Sequence, residues 1–231
     1  MKLTHGLAAL VLLASASAAH AEVTGTVTIA SDYDCRGITQ TSKNPALQGS
    51  VDYAHESGFY AGAWASNVDF DDCCDESIEV DTYAGFAGGE TVTYDVGLVY
   101  YWYPGADDID FGELYGALGY KWIEGKIWYS PDFANADESA MYYEANGTFE
   151  LPANFGLNLH LGYNYGDGQP TEYMDYSIGV AYTLSNFDLE LKYVDTDLSR
   201  GDALFSSDDA FNTEGRVIFG VSTTFPWGGE E

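Results

Sequence analysis

The stretch FGLNLHLGYNYG, residues 155–166, sets a large apolar or aromatic side chain at every odd position. Phe155, Leu157, Leu159, Leu161, Tyr163 and Tyr165 share one face. Gly156, Asn158, His160, Gly162, Asn164 and Gly166 share the other. Period-2 alternation of this kind predicts a β-strand with two unlike faces. Which face meets water separates a soluble barrel with a greasy core from a membrane barrel with a wet one.

The same alternation recurs along the chain. In TVTYDVGLVYYWY, Val92, Tyr94, Val96, Leu98, Tyr100 and Trp102 oppose Thr93, Asp95, Gly97, Val99 and Tyr101. It defines about twelve strand-like segments, over 23–35, 46–55, 58–68, 77–87, 91–103, 111–122, 125–131, 139–150, 155–166, 174–184, 187–195 and 213–225. Connections alternate in length. ESG, GGE, IEG, LPAN and LSN read as tight hairpin turns. Long connections fall at 36–45, 69–76, 104–110, 132–138, 167–173 and 196–212. An up-and-down meander gathers the short turns at one end and the long loops at the other. Transmembrane barrels share this plan: short periplasmic turns, long extracellular loops and an even strand number.

The first residues, MKLTHGLAALVLLASASAAHA, combine a Lys, a short apolar run and an Ala19-His20-Ala21 site, the pattern of a cleaved secretory signal peptide over 1–21. Residues 22–231 are then expected to form one β-barrel domain. No later run is long and apolar enough for a helical span. A membrane-spanning form must therefore be a closed barrel, which satisfies every backbone group in lipid. Without Lys2 the chain carries 7 basic against 37 acidic residues, 7 − 37 = −30. That excludes nucleic acid as a partner, because phosphate contacts need Lys and Arg.

Ionisable residues decide the wet face. Asp52, Glu79, Asp81, Asp95, Glu113, Glu144, Glu190, Lys192 and Arg216 sit in mid-strand on the less bulky faces, with Lys121 near a strand end. Facing lipid, each basic group would cost about 2–4 kcal/mol at the midplane. The opposite faces are nearly free of charge, and burying each large side chain gains roughly 1.5–3 kcal/mol. Inward burial would crowd the bore and leave an outside of Gly, Ala, Ser, Thr and Asn. Aromatics gather near strand ends, at Tyr101-Trp102-Tyr103, Tyr120-Lys121-Trp122, Trp128-Tyr129 and Tyr163-Asn164-Tyr165, as in interfacial girdles. The expectation is an all-β transmembrane barrel with a wet inside.

The stretch SDYDCRGITQTSKNPALQGSVDYAHESGFYAGAWASNVDF (31–70) resembles the TorF family of porins, exported bacterial proteins formerly catalogued as conserved hypothetical. The resemblance continues through IEVDTYAGFAG (78–88), YDVGLVYYWYPG (94–105), FGELYGALGYKW (111–122) and YSIGVAYTLSNFDLELKYVDTD (176–197). It implies an outer-membrane β-barrel with a channel role and supplies no catalytic residues. Cys35, where the family has a bulky residue, and Cys73-Cys74 in the acidic loop depart from the pattern. The last strand, VIFGVSTTF, resembles the signal read by the barrel-assembly machinery, although Pro226 to Glu231 follow Phe225.

The expected lumenal and selectivity residues are Asp81, Asp95, Glu113, Lys121, Glu144, Asn158, His160, Glu190, Lys192 and Arg216. Opposed charges there could form a polar constriction or fill a narrow bore. Acid-rich loops with few bases (Arg36, Lys43, Arg200) attract cations through their summed field. DFDDCCDES (69–77) lacks the Gly and spacing of an EF-hand, and three cysteines make a weak zinc signal, so no metal or cofactor is expected. Cys35 ends the first segment at the long-loop end, where a bridge to Cys73 or Cys74 is sterically open. His160 lacks a G-x-S-x-G serine motif and reads as a hydrogen-bonded lumenal residue rather than a catalytic one. Asn146-Gly147-Thr148 matches a glycosylation acceptor but falls inside a strand. The expected function is passive diffusion of small solutes across the outer membrane, cation-leaning, with lipid and lipopolysaccharide around the barrel. The alternative is a non-conducting structural or surface-interaction barrel.

Overall fold

The computed structural model describes residues 21–70, 77–106, 109–169, 171–198 and 214–226. Its strands are β1 (Glu22–Ala30), β2 (Asp34–Cys35), β3 (Ile38–Thr39), β4 (Ala46–Ala54), β5 (Phe59–Asn67), β6 (Ile78–Gly88), β7 (Val92–Trp102), β8 (Phe111–Tyr120), β9 (Ile123–Ser130), β10 (Ala140–Leu151), β11 (Phe155–Tyr165), β12 (Tyr173–Leu184), β13 (Phe187–Thr196) and β14 (Arg216–Phe225). Twelve of them close into one antiparallel barrel, each strand beside its sequence neighbour and β1 sealed against β14; β2 and β3 form a separate hairpin. Closure removes both sheet edges and pairs the backbone groups that lipid cannot satisfy. No helix among the described residues is long and apolar enough to cross a membrane.

Two expected boundaries move. The first segment, expected to run to 35, stops at Ala30, and the chain turns away from the wall into the β2–β3 hairpin. The tight turn expected at IEG lies instead at Lys121-Trp122. Lys121 takes the left-handed conformation there (φ 58°), and Ile123 pairs with Tyr120. Lys121 is therefore a turn residue with its ammonium over the Tyr120 ring, not a lumenal one.

The faces divide as the charge argument requires. Leu159, Leu161, Ile178, Val180 and Leu191 are exposed on the outside, Leu161 at 47% and Ile178 at 50%. Glu144 on the opposite face of the neighbouring strand has a side chain only 7% exposed. A continuous apolar belt outside a closed barrel is buried only by lipid. Aromatics rim this belt. Tyr53, Phe59 and Phe86 cluster at the short-turn end, as do Trp122 with Phe149 and Phe155 with Tyr182. Tyr100, Trp102, Tyr163 and Tyr165 mark the long-loop end. Trp128 and Tyr101, expected in these girdles, point inward and join a lumenal cluster of Tyr60, Tyr83, Val99 and Tyr115.

Candidate functional site

The lumen is shaped by residues 31–45, which fold inward rather than forming an outer loop. Arg36 and Gly37 both take positive φ (50° and 83°), making the tight turn of the β2–β3 hairpin. Glycine is required at 37. A Cβ there would stand 2.4 Å from Thr196 Cγ2 and 2.7 Å from Asp175 Cβ, so only a bare backbone fits against the β12–β13 wall.

The hairpin reaches walls all round the bore. Tyr33 donates to Glu79 of β6 at 3.0 Å and packs edge-on against Trp64. Arg36 pairs with Glu113 of β8 at 2.6 Å, and its guanidinium lies 4.4 Å from the Tyr142 ring of β10. Tyr173 of β12 donates its hydroxyl to the Arg36 carbonyl. Lys192 of β13 pairs with Asp34 at 3.0 Å. Arg216 of β14 binds Asp32 through Nε, Asp34 at 2.8 Å and the Gly37 carbonyl at 2.8 Å. Asp32 also accepts from the fully buried Thr39 and Thr41 hydroxyls. Cys35 rides on this hairpin, and burial holds its thiol well above the ordinary range of a cysteine. The bridge expected to Cys73 or Cys74 lies outside the described residues.

All these wall contacts belong to the long-loop half. A second cluster there surrounds His160. Its Nε2 lies 2.8 Å from Asp175 Oδ1, its Nδ1 lies 2.7 Å from Asn146 Oδ1, and Glu144 stands at 3.6 Å. The Tyr142 hydroxyl donates to Asp175 and stands beside Nε2. Gly162 leaves the space that the Tyr142 hydroxyl occupies, since a Cβ would come within 2.1 Å of it. These contacts tie His160 into a hydrogen-bonded stretch of the lumenal wall. Asn158, on the same face as His160, donates to Glu190.

In the short-turn half, acids are met by tyrosine hydroxyls. Tyr60 donates to Asp95 at 2.6 Å and its hydroxyl meets that of Tyr115, while Tyr83 donates to Asp52. Lys126 places its ammonium 3.9 Å from the Tyr115 ring centre and 4.0 Å from that of Trp128. Such placement over ring faces replaces part of its lost hydration.

The expected residues Asp81, Asp95, Glu113, Glu144, Asn158, His160, Glu190, Lys192 and Arg216 all lie on inward faces. Lys121 does not. Sequence reasoning missed five charged contributors: Lys126, Asp175 and the hairpin residues Asp32, Asp34 and Arg36. A signal for the hairpin was present, because 36–45 is the one long connection with no acid, and Asp32 and Asp34 precede it. Cations for Asp32 and Asp34 were present too, but a sequence does not say which wall a loop will meet.

Several solved structures resemble the whole barrel. The KdgM porin is 8% identical, with a TM-score of 0.56 over 90% of this chain and 99% of that one. The KdgM porin in complex with disordered oligogalacturonate matches at 7% identity and a TM-score of 0.57, over 89% and 99% of the two chains. The NanC porin matches at 11% identity and a TM-score of 0.58, over 87% and 99%. At such identities the likeness is one of fold: this chain shares the closed antiparallel barrel of those porins. No curated protein matches the sequence. Residues 14–225 fit the profile described as "Bacterial protein of unknown function (Gcw_chp)", and the chain belongs to that family.

Proposed function

We propose that this barrel is a channel of the bacterial outer membrane for passive diffusion of small solutes, with a preference for cations. The observation that carries the reading is the state of the lumenal bases. Arg36, Lys192 and Arg216 are each paired with a carboxylate, and Lys126 is held over two aromatic rings. Acids on the inward faces outnumber them. Asp52, Asp95, Glu144 and Asp175 make no salt bridge to Lys or Arg among the described residues and are met by hydroxyl, indole, amide or imidazole groups, while the single ammonium of Lys126 faces Glu144 and acts on Asp95. Their field favours cations and opposes polyanions. An acidic oligosaccharide such as the one named with the KdgM porin is therefore a poor candidate for this bore.

Conductance of refolded protein in planar bilayers tests the reading, with the reversal potential measured in a salt gradient. Open-channel currents with a cation-favouring reversal potential are expected. Asp95→Lys or Glu144→Lys should move that potential toward anions. Conducting protein whose ion preference ignores both substitutions would refute lumenal control of selectivity.

A second reading is favoured by the hairpin that crosses the bore: a non-conducting barrel whose acidic loops bind partners at the surface. It predicts no conductance from intact protein at any voltage, and hence separates from the first in the same recording.

A further inference from the structure

The lumen changes in exposure along its length. In its long-loop half the inward residues are sealed on every strand of the wall. Gln48 on β4, Glu79 on β6, Ser130 on β9, Asn164 on β11 and Val194 on β13 are buried, and each of the other seven strands places there a residue no more than 9% exposed. Residues 31–45 lie within this ring, with contacts running from Trp64 of β5 round to Arg216 of β14. In the short-turn half, by contrast, Thr26, Asp52, Asp95, Glu124, Asn146 and Ser177 are half-exposed on inward faces of six different strands. Tyr60, Tyr83 and Tyr115 leave that space open by lying along the wall. Each ring reaches over a glycine of the neighbouring strand, Gly85, Gly62 and Gly97 respectively, where a Cβ would collide with it.

A wet chamber with one sealed end is a shut pore. We propose that the β2–β3 hairpin is a displaceable gate: it stops the long-loop mouth, leaves the chamber in contact with the short-turn side alone, and admits solute only in its released state. This rests on the channel reading above and adds the channel's resting state to it.

The hairpin is held as a part that leaves and returns. Residues 31–45 carry only two large apolar side chains, Tyr33 and Ile38. Most of the hold is charge: Asp32, Asp34 and Arg36 against Arg216, Lys192 and Glu113. Charges parted from such buried partners regain their hydration, which offsets much of the attraction lost. Both ends of the segment are fixed at the long-loop rim, where Ala30 pairs with Ala46 across adjacent wall strands. Ser31 adds two hydrogen bonds to Phe219. The hinge therefore lies at the rim, and the hairpin leaves by that mouth with every wall strand in place.

The test is sided access to the chamber. Ser177→Cys is made in a Cys35→Ser, Cys73→Ser, Cys74→Ser background, and the protein is refolded into lipid vesicles. Ser57→Cys on a short turn and Asp137→Cys on an outer loop, each alone in the same background, show which end faces out. A charged, membrane-impermeant methanethiosulfonate is then applied to one side at a time. Ser177→Cys should react at least about tenfold faster from the short-turn side than from the long-loop side, the ratio set by a released state populated in roughly a tenth of molecules or fewer. Thr26→Cys on β1 should behave alike and serves as reporter if Ser177→Cys does not fold. Adding Arg216→Met should abolish the difference; should that variant fail to fold, Asp32→Asn with Asp34→Asn takes its place. Equal rates from the two sides with the native hairpin overturn the proposal, as does a difference that survives loosening of the hairpin. A difference lost on loosening, with no current through the loosened barrel, upholds the seal and overturns the channel reading instead.

Discussion

Replacing Arg216 with methionine should release the hairpin while leaving the barrel wall in place. The Arg216 side chain is 8% exposed, and its partners Asp32 and Asp34 are 5% and 10% exposed, so solvent screens these contacts little. Breaking a buried ion pair by removing one partner costs about 3–5 kcal/mol. Here the lower figure applies. Asp34 keeps Lys192 at 3.0 Å, and Asp32 keeps the Thr39 and Thr41 hydroxyls. At 1.4 kcal/mol per decade, about 3 kcal/mol moves the inserted-to-released equilibrium roughly a hundredfold. Cys35 reports that equilibrium. Its side chain is half-buried against the lumenal wall, so a thiol reagent reacts with it faster when the hairpin leaves the wall. In a Cys73→Ser, Cys74→Ser background under reducing conditions, Arg216→Met should speed Cys35 labelling, by up to about a hundredfold. Far-ultraviolet circular dichroism should be unchanged, and single-channel current should rise. Wild-type labelling kinetics in the variant would mean that Arg216 does not hold the hairpin.

Two further substitutions probe the same architecture. Gly37→Val places a side chain where a Cβ already meets Thr196 and Asp175, at φ 83°, a conformation costing roughly 1–2 kcal/mol for an L-residue before any clash. It should raise the Cys35 labelling rate as Arg216→Met does, with thermal unfolding of the barrel little changed. Ile178→Arg puts a charge on the outward belt at the middle of β12 and should cost about 2–4 kcal/mol in urea unfolding from lipid vesicles. Ser177→Asn, one residue away on the lumenal face, should cost little. Equal losses at both positions would contradict the assigned faces.

The wall was legible because lipid outside and water inside impose a strict two-residue period. A one-residue slip would move every large side chain to the wrong medium, so each strand's register is strongly specified. Leu157, Leu159 and Leu161 against Asn158 and His160 illustrate this, and all twelve strands appeared in order. What the period does not encode is the content of a wet bore. Residues 31–45 have the polar, turn-rich character of an outer loop, and a hydrated lumen accepts the same chemistry. Lys126 fell in a segment whose expected start was two residues late, so its inward face, over Tyr115 and Trp128, went unread. At Lys121 the reverse occurred: a left-handed turn took a residue that alternation alone would assign to a strand.

In the proposed channel, hairpin and selectivity draw on the same charges. Asp32 and Asp34 engage Arg216 and Lys192, so with the hairpin inserted those wall bases are covered and the remaining wall acids dominate. A released hairpin with its carboxylates intact uncovers Lys192 and Arg216 to permeating ions. Two ways of loosening the hairpin should therefore give opposite ion preferences. Arg216→Met removes a base from the wall, and the enlarged current should remain cation-selective. Asp32→Asn with Asp34→Asn loosens the hairpin as well but leaves Arg216 and Lys192 unmatched, shifting the reversal potential toward anions. Both variants should label faster at Cys35 than wild type. If both instead share one reversal potential, ion preference is set outside this half of the lumen, and the acidic outer loops become its source.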